Sequence, residues 1–197
     1  MPMETVEYVL CGWPEDDPTL RLDYREFGYA GKFVMSSTGK AVAREPDVTT
    51  EETDGSEFDE GVVAAVAFNE DRTDPDTLWL RYITVRNDRR GEGIGPRLAA
   101  FTTERATTRG YERLRIAVNN PFAYEALSKV GFGYTGRETG LAELVLERPA
   151  GRPAERSRAA YQAGLDVYRE RDLSDSEQCF LASRSDAEPP AVVGSPT

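Results

Sequence analysis

Arg90-Gly91-Glu92-Gly93-Ile94-Gly95 sets three glycines at alternate positions, followed at once by Pro96 and Arg97. Glycine admits positive φ and lets a ligand come close to the backbone. Pro96 suits the first turn of a helix, where its missing N–H would have had no partner. That first turn carries unpaired N–H groups and a partial positive charge, which together attract phosphate. Arg89, Arg90 and Arg97 add full charges. The competing reading of the same residues is a tight turn with solvated arginines. Elsewhere the chemistry is constrained by omission. Histidine is absent, which removes Ser-His-Asp and Cys-His catalysis and most zinc sites. Cys11 and Cys179 fit neither a CxxC pair nor a disulfide scaffold. A reaction on this chain rests on carboxylates, tyrosines, backbone amides and a bound co-substrate.

The elements around the glycine turn give it a setting. Leu78 to Val85 is an apolar and β-branched run interrupted by Arg81 and Thr84, the composition of a strand covered on both faces. From Gly95 to Arg109 the spacing is helical, and Gly110 supplies a stop. Arg113 to Val118 alternates as a strand, so the unit is strand, helix, strand with a right-handed parallel crossover. Asn119-Asn120-Pro121 opens a second helix, Phe122 to Val130, closed by Gly131. Two strands follow, Phe132 to Arg137 and Leu141 to Leu146. Upstream, Thr5 to Leu10 reads as a strand and Gly61 to Asn69 as a small-residue apolar strand antiparallel to Leu78–Val85. Residues 32–36 and 41–44 read as a hairpin about Ser37-Thr38-Gly39-Lys40. Thr19 to Tyr29 fits either a strand or a helix face and is read as a short helix or irregular structure.

The chain has 197 residues, 35 acidic against 24 basic, for a formal charge of −11, and only three lysines: Lys32, Lys40 and Lys129. An acidic, lysine-poor surface resembles proteins of salt-adapted archaea, where high salt screens the self-repulsion. No net-positive domain is present, so duplex nucleic acid is not expected as a partner. No apolar run reaches membrane-spanning length, and Met1 to Leu10 lacks the regions of a secretory signal. The expectation is a cytoplasmic protein without metal, nucleic acid or membrane partners. Residues 45–60 read as an acidic surface loop and 149–183 as a helical extension, with Ser174 to Glu177 a capping box. Residues 184–197 read as a disordered tail.

The order of these elements, with two motifs, resembles the GNAT (GCN5-related N-acetyltransferase) superfamily over roughly Val6 to Arg148, with the salt-adapted surface pointing to a haloarchaeal member. Arg90 to Gly95 is similar to that family's Arg/Gln-x-x-Gly-x-Gly/Ala pyrophosphate loop. Asn120-Pro121-Phe122-Ala123 through Lys129-Val130-Gly131-Phe132 is similar to its second motif. The resemblance implies an α+β fold: a mixed, mostly antiparallel central sheet flanked by helices, here within 1–148. It implies an acyl-CoA-dependent N-acyltransferase passing acetyl from acetyl-CoA directly to an amine. Arg90, Gly91, Glu92, Gly93, Ile94 and Gly95 would cradle the CoA pyrophosphate. Ile83, Thr84 and Val85 would face the pantetheine arm, with Asn120 beside it; Asn120 is also a natural helix N-cap.

Two features depart from the family pattern. The tyrosine that many members carry seven residues after the motif Asn is Leu127 here. Tyr124, three residues earlier, is the substitute for the acid, against a packing role. The strand before the glycine loop holds no glutamate, so Glu70 becomes the base candidate, with Glu138 and Glu143 behind it. A non-catalytic acyl-CoA sensor is the alternative that these gaps leave open. The C-terminal helices are expected to cover a sheet face or build a homodimer contact.

Overall fold

In a computed structural model, residues 5–48 and 56–196 are described; much of the acidic stretch 45–60 lies outside them. Seven strands form one sheet: β1 (Glu7–Gly12), β2 (Gly39–Arg44), β3 (Val62–Glu70), β4 (Thr77–Val85), β5 (Arg113–Val118), β6 (Gly133–Glu138) and β7 (Leu144–Pro149). Their order is β1-β2-β3-β4-β5-β7-β6. Every pairing is antiparallel except β4–β5, which is parallel. The helix α1 (Ile94–Arg109) makes that one crossover. The helix α2 (Pro121–Ser128) joins β5 to β6.

The sheet has two differently covered faces. On the first, Ala41, Ala64, Val66, Phe68, Leu78 and Leu80 pack against Leu98, Ala99 and Phe101 of α1. Thr102 and Thr103 are buried in that helix, and their hydroxyls donate to the carbonyls of Leu98 and Ala99 at 2.9 and 2.8 Å. Buried polar groups are tolerated there because each has its partner. On the second face, Leu20, Leu22, Phe27, Ala30 and Phe33 cover Val42, Val62, Ala65 and Ala67, with Tyr82 at the rim. Small residues along β2 and β3 let both layers approach, which is why β3 is buried from Val62 to Phe68.

The segment 20–33 forms turns and a 3-10 turn at Ala30–Lys32. The hairpin expected about Ser37–Lys40 is half present: β2 forms, while 32–36 is not a strand. The physical reason is Lys40. Its ammonium is fully buried and donates to the carbonyls of Pro18, Met35 and Thr38 and to the Thr38 hydroxyl. Those carbonyls must turn inward, so the chain before Gly39 wraps around the charge instead of pairing.

The C-terminal extension belongs to the main core. The helices α3 (Arg158–Arg169) and α4 (Asp175–Ala182) pack on α2, and α3 packs on β6. Tyr161, Leu165, Tyr168 and Leu181 join the first-face cluster. Ser174 and Glu177 form the capping box of α4. Residues 184–196, read above as a tail, make specific contacts. Val193 N–H donates to the Lys129 carbonyl at 2.8 Å, the Arg156 guanidinium holds the Pro190 carbonyl at 3.3 Å, and Ser195 Oγ donates to Glu104 at 2.5 Å. Composition alone reads as solvated there; the segment finds partners at the end of α2, at Arg156 and, through the Ser195 side chain, on α1.

Candidate active site

The parallel ladder between β4 and β5 runs from Thr77↔Arg113 to Leu80↔Ile116 and ends. Both strands continue beyond it, to Val85 and Val118. Past Leu80, β4 pairs with β3 alone, on its other edge, through Tyr82, Ile83, Thr84 and Val85. Arg81 is a bulge in that β3–β4 register, between Phe68↔Leu80 and Ala67↔Tyr82. Bulges bend a strand and increase its local twist. The two strands therefore diverge into a cleft, with the β4 edge at 81–85 without a β5 partner.

At the end of β4 stands the glycine loop. A 3-10 turn (Asn87–Arg89) leads to Gly91 at φ +86° and Gly93 at φ +77°. Gly93 is the N-cap of α1, and no side chain caps that end. A Cβ at Gly95 would stand 3.2 Å from the Val85 side chain, so glycine keeps α1 close to β4. The loop's one acid is neutralised: Arg89 Nε lies 3.0 and 2.9 Å from the two carboxylate oxygens of Glu92. Among the described residues, Arg90 and Arg97 have no carboxylate within ion-pair distance. The result is a helix N-terminus with open amides and two uncompensated guanidiniums, an electrostatic trap for a polyanion.

Asn120 caps α2. Its Oδ1 accepts from Ala123 N–H at 2.9 Å, and its Nδ2 donates to Asn119 Oδ1 at 3.1 Å. The loop residues Arg90 to Gly95, the β4 edge Ile83–Val85 and Asn120 thus all stand at the open end of the β4–β5 cleft.

The two acid–base candidates stand elsewhere. Tyr124 is 1% exposed, and its hydroxyl donates to the Tyr161 carbonyl of α3 at 3.0 Å. Its ring stacks on Tyr161 with centroids 5.6 Å apart. A Cβ on Gly164 would fall 2.2 Å from the Tyr124 hydroxyl, so the two helices touch there. Burial raises the phenol's pKa, with neighbouring tyrosines adding to the effect. Tyr124 is therefore a packing residue under α3. Leu127 is likewise buried in the core. Replacing Tyr124 by Phe is expected to lower stability by about 1 kcal/mol, the worth of one buried hydrogen bond, and to leave kcat within about twofold; thermal melts and steady-state rates measure both. Glu70 pairs with Leu78, at the closed end of the β4–β5 ladder. Glu70, opposite Leu78, is on the first-face side about 10 Å of strand before the bulge at Arg81, so it stands away from the unpaired edge 81–85. Groups at the open end are Tyr82 on β4 and Glu138 and Glu143 in the β6–β7 turn, where Leu144 pairs with Val118. Tyr82 has as neighbours Tyr29 and Lys32, which arrive from the irregular 20–33 segment that no periodicity placed.

Residues 13–132 match the acetyltransferase (GNAT) family. The chain belongs to this family. Its members are acyl-CoA-dependent N-acyltransferases, and the cleft and glycine loop of this GNAT chain occupy the matched region. The fold agrees with solved structures. A GNAT-family acetyltransferase of Desulfovibrio desulfuricans aligns at TM-score 0.54 and 12% identity, covering 74% of this chain and 99% of that one. An N-acetyltransferase of Lactobacillus plantarum aligns at TM-score 0.51 and 14% identity, covering 74% and 98%. No curated protein matches in sequence. Among the described residues, no helix is long and apolar enough to cross a membrane.

Proposed function

We propose that this GNAT protein transfers an acyl group, acetyl in the simplest case, from acyl-CoA to an amine by direct attack. The observation that carries this reading is the conjunction of an uncapped α1 N-terminus, two uncompensated arginines and an unpaired β4 edge in one cleft. Arg90 to Gly95 would hold the pyrophosphate through backbone amides. Ile83 to Val85 would offer backbone groups to the pantetheine arm as an added strand does, with Asn120 beside it. The bound thioester supplies an activated acyl carbon. The residues would supply orientation, which alone lowers the barrier substantially, and β4 amides at the bulge would polarise a carbonyl. The acidic, lysine-poor composition supports a salt-adapted protein and places the assays at high ionic strength as well as low.

The burial of Tyr124 and Leu127 and the remoteness of Glu70 favour a second reading, a sensor that binds acyl-CoA without turnover. One experiment separates the two. Thiol release from acetyl-CoA is followed with a broad amine panel, beside equilibrium binding of CoA. Amine-dependent thiol release supports the enzyme. Saturable CoA binding with no turnover on any amine supports the sensor, and absence of CoA binding sinks both.

A further inference from the structure

The donor loop and α1 lie on the first face of the sheet, so an acceptor reaches the cleft from the second. Leu78 and Leu80 point to the first-face core, which puts Trp79 on the second. Asn69, paired with Trp79, shares that face. At the bulge, Arg81 lies over the Trp79 ring, 4.7 Å from its centroid, and its Nε donates to Asn69 Oδ1 at 2.6 Å. Tyr82 follows, at the rim of the second-face cluster. The acceptor's approach is thus lined by Trp79, Arg81 and Tyr82, with Lys32 Nζ 5.7 Å from the Tyr82 centroid.

Charge distinguishes this spot from its surroundings. The arginines of β5 and β6 nearby are neutralised: Arg115 by Asp71 and Glu147 at 2.9 and 2.8 Å, Arg113 by Asp74 and Glu147 at 3.1 and 3.2 Å, and Arg137 by Glu147 at 2.7 Å. Among the described residues, neither Arg81 nor Lys32 has a carboxylate within ion-pair distance. In a chain of net charge −11, two cations without an ion pair, Arg81 next to the half-buried Tyr82 in sequence and Lys32 over its ring, concentrate positive charge locally. Arg81 is also held in place. Asn69 fixes Nε and the indole supports the guanidinium plane, on a side chain that is exposed overall. A guanidinium fixed in this way is preorganised for a planar oxyanion held by two parallel hydrogen bonds.

We infer that the acceptor is an amine that also carries a carboxylate, as an amino acid does, and that Arg81 is the residue that binds the carboxylate. This rests on the acyltransferase reading above and names the acceptor class for the same site. Carboxylate capture by Arg81 at the bulge leaves the amine free to lie over the diverging edge of β4, where the acyl carbon is expected. Lys32, over the Tyr82 ring, strengthens the field that draws the anion in.

The test uses the full chain with acetyl-CoA and matched acceptors: amino acids, their decarboxylated amines and the corresponding aminophosphonates. Turnover is read by thiol release, and acceptor binding to the CoA-bound protein by calorimetry, so the result does not depend on turnover. The wild-type protein is expected to prefer the carboxylate member of each set. In Arg81→Met, which keeps the aliphatic stem over Trp79, the ratio of carboxylate to decarboxylated acceptor falls about 100-fold, and Arg81→Lys recovers about tenfold of it. CoA affinity and thermal melts of both variants control for folding. Equal use of the carboxylate and decarboxylated members, preference for the phosphonates, binding of no carboxylate-bearing amine, or an unchanged ratio in Arg81→Met overturns the inference. Failure of the wild-type protein to bind CoA overturns the acyltransferase reading instead, and the two failures are read in separate measurements.

Discussion

Gly93→Asp is expected to weaken CoA binding at least 100-fold while leaving the melting temperature within a few degrees of the parent. The two halves of that result come from the same position. Gly93 sits at φ +77° as the N-cap of α1, with nothing within 4 Å of the place a Cβ would occupy. Aspartate is among the side chains that tolerate the left-handed region, and it is favoured at helix N-termini, where its charge meets the positive end of the dipole. Strain of about 1 kcal/mol is thereby largely offset. For a pyrophosphate the same carboxylate is a fixed like charge in a site built of amides and the guanidiniums of Arg90 and Arg97. It also offers the first-turn N–H groups an intramolecular acceptor in place of the ligand. Calorimetric titration with CoA and a thermal melt of the same sample are sufficient. Unchanged CoA affinity would remove the pyrophosphate role from the loop.

How far the residues alone reach is set by whether local or distant partners decide the outcome. The stretch from β4 through α2 was legible because periodicity, glycines and caps agree locally: Gly93 and Gly110 bound α1, and Asn120 caps α2 as its type predicts. The acid and base were misplaced for a different reason. Helical spacing puts Tyr124 on a face, but it does not say that α3 will cover that face. Strand pairing puts Glu70 next to β4, but which end of β4 depends on the register with Leu78. The half-hairpin at 32–36 fails in the same manner, since the burial of the nearby Lys40 ammonium depends on the distant Pro18 carbonyl, and the bond from Val193 N–H to the Lys129 carbonyl joins residues far apart in sequence. Arg81 was legible as an anomaly. Its lack of an ion pair became visible only when the face was assembled and the arginines of β5 and β6 were seen to be paired.

Truncation after Gly151 is expected to abolish cooperative folding. That boundary spares β7 and the bond from Ala150 N–H to the Glu112 carbonyl, so what is lost is the extension alone. Tyr161, Leu165, Tyr168 and Leu181 are each no more than 4% exposed. At roughly 2 kcal/mol for each large side chain, their burial contributes on the order of 8 kcal/mol, comparable to the whole stability of a typical domain. The cut surface makes matters worse. Tyr124 and Leu127 would face water along α2. Glu125 would lose Arg184, whose Nε and a terminal nitrogen stand 2.6 and 2.9 Å from its two carboxylate oxygens. The Val118 carbonyl at the end of β5 would lose the Tyr168 hydroxyl, now 3.0 Å away. That last contact ties the extension to the cleft itself, because Val118 ends the part of β5 that leaves β4 after Ile116. The helices therefore act as part of the wall that keeps the cleft open at its β5 side, and a separable appendage would behave otherwise. Circular dichroism melts and light scattering decide the matter: a truncated chain that stays monomeric and melts cooperatively at the full-length midpoint would show that α3 and α4 are dispensable to the fold.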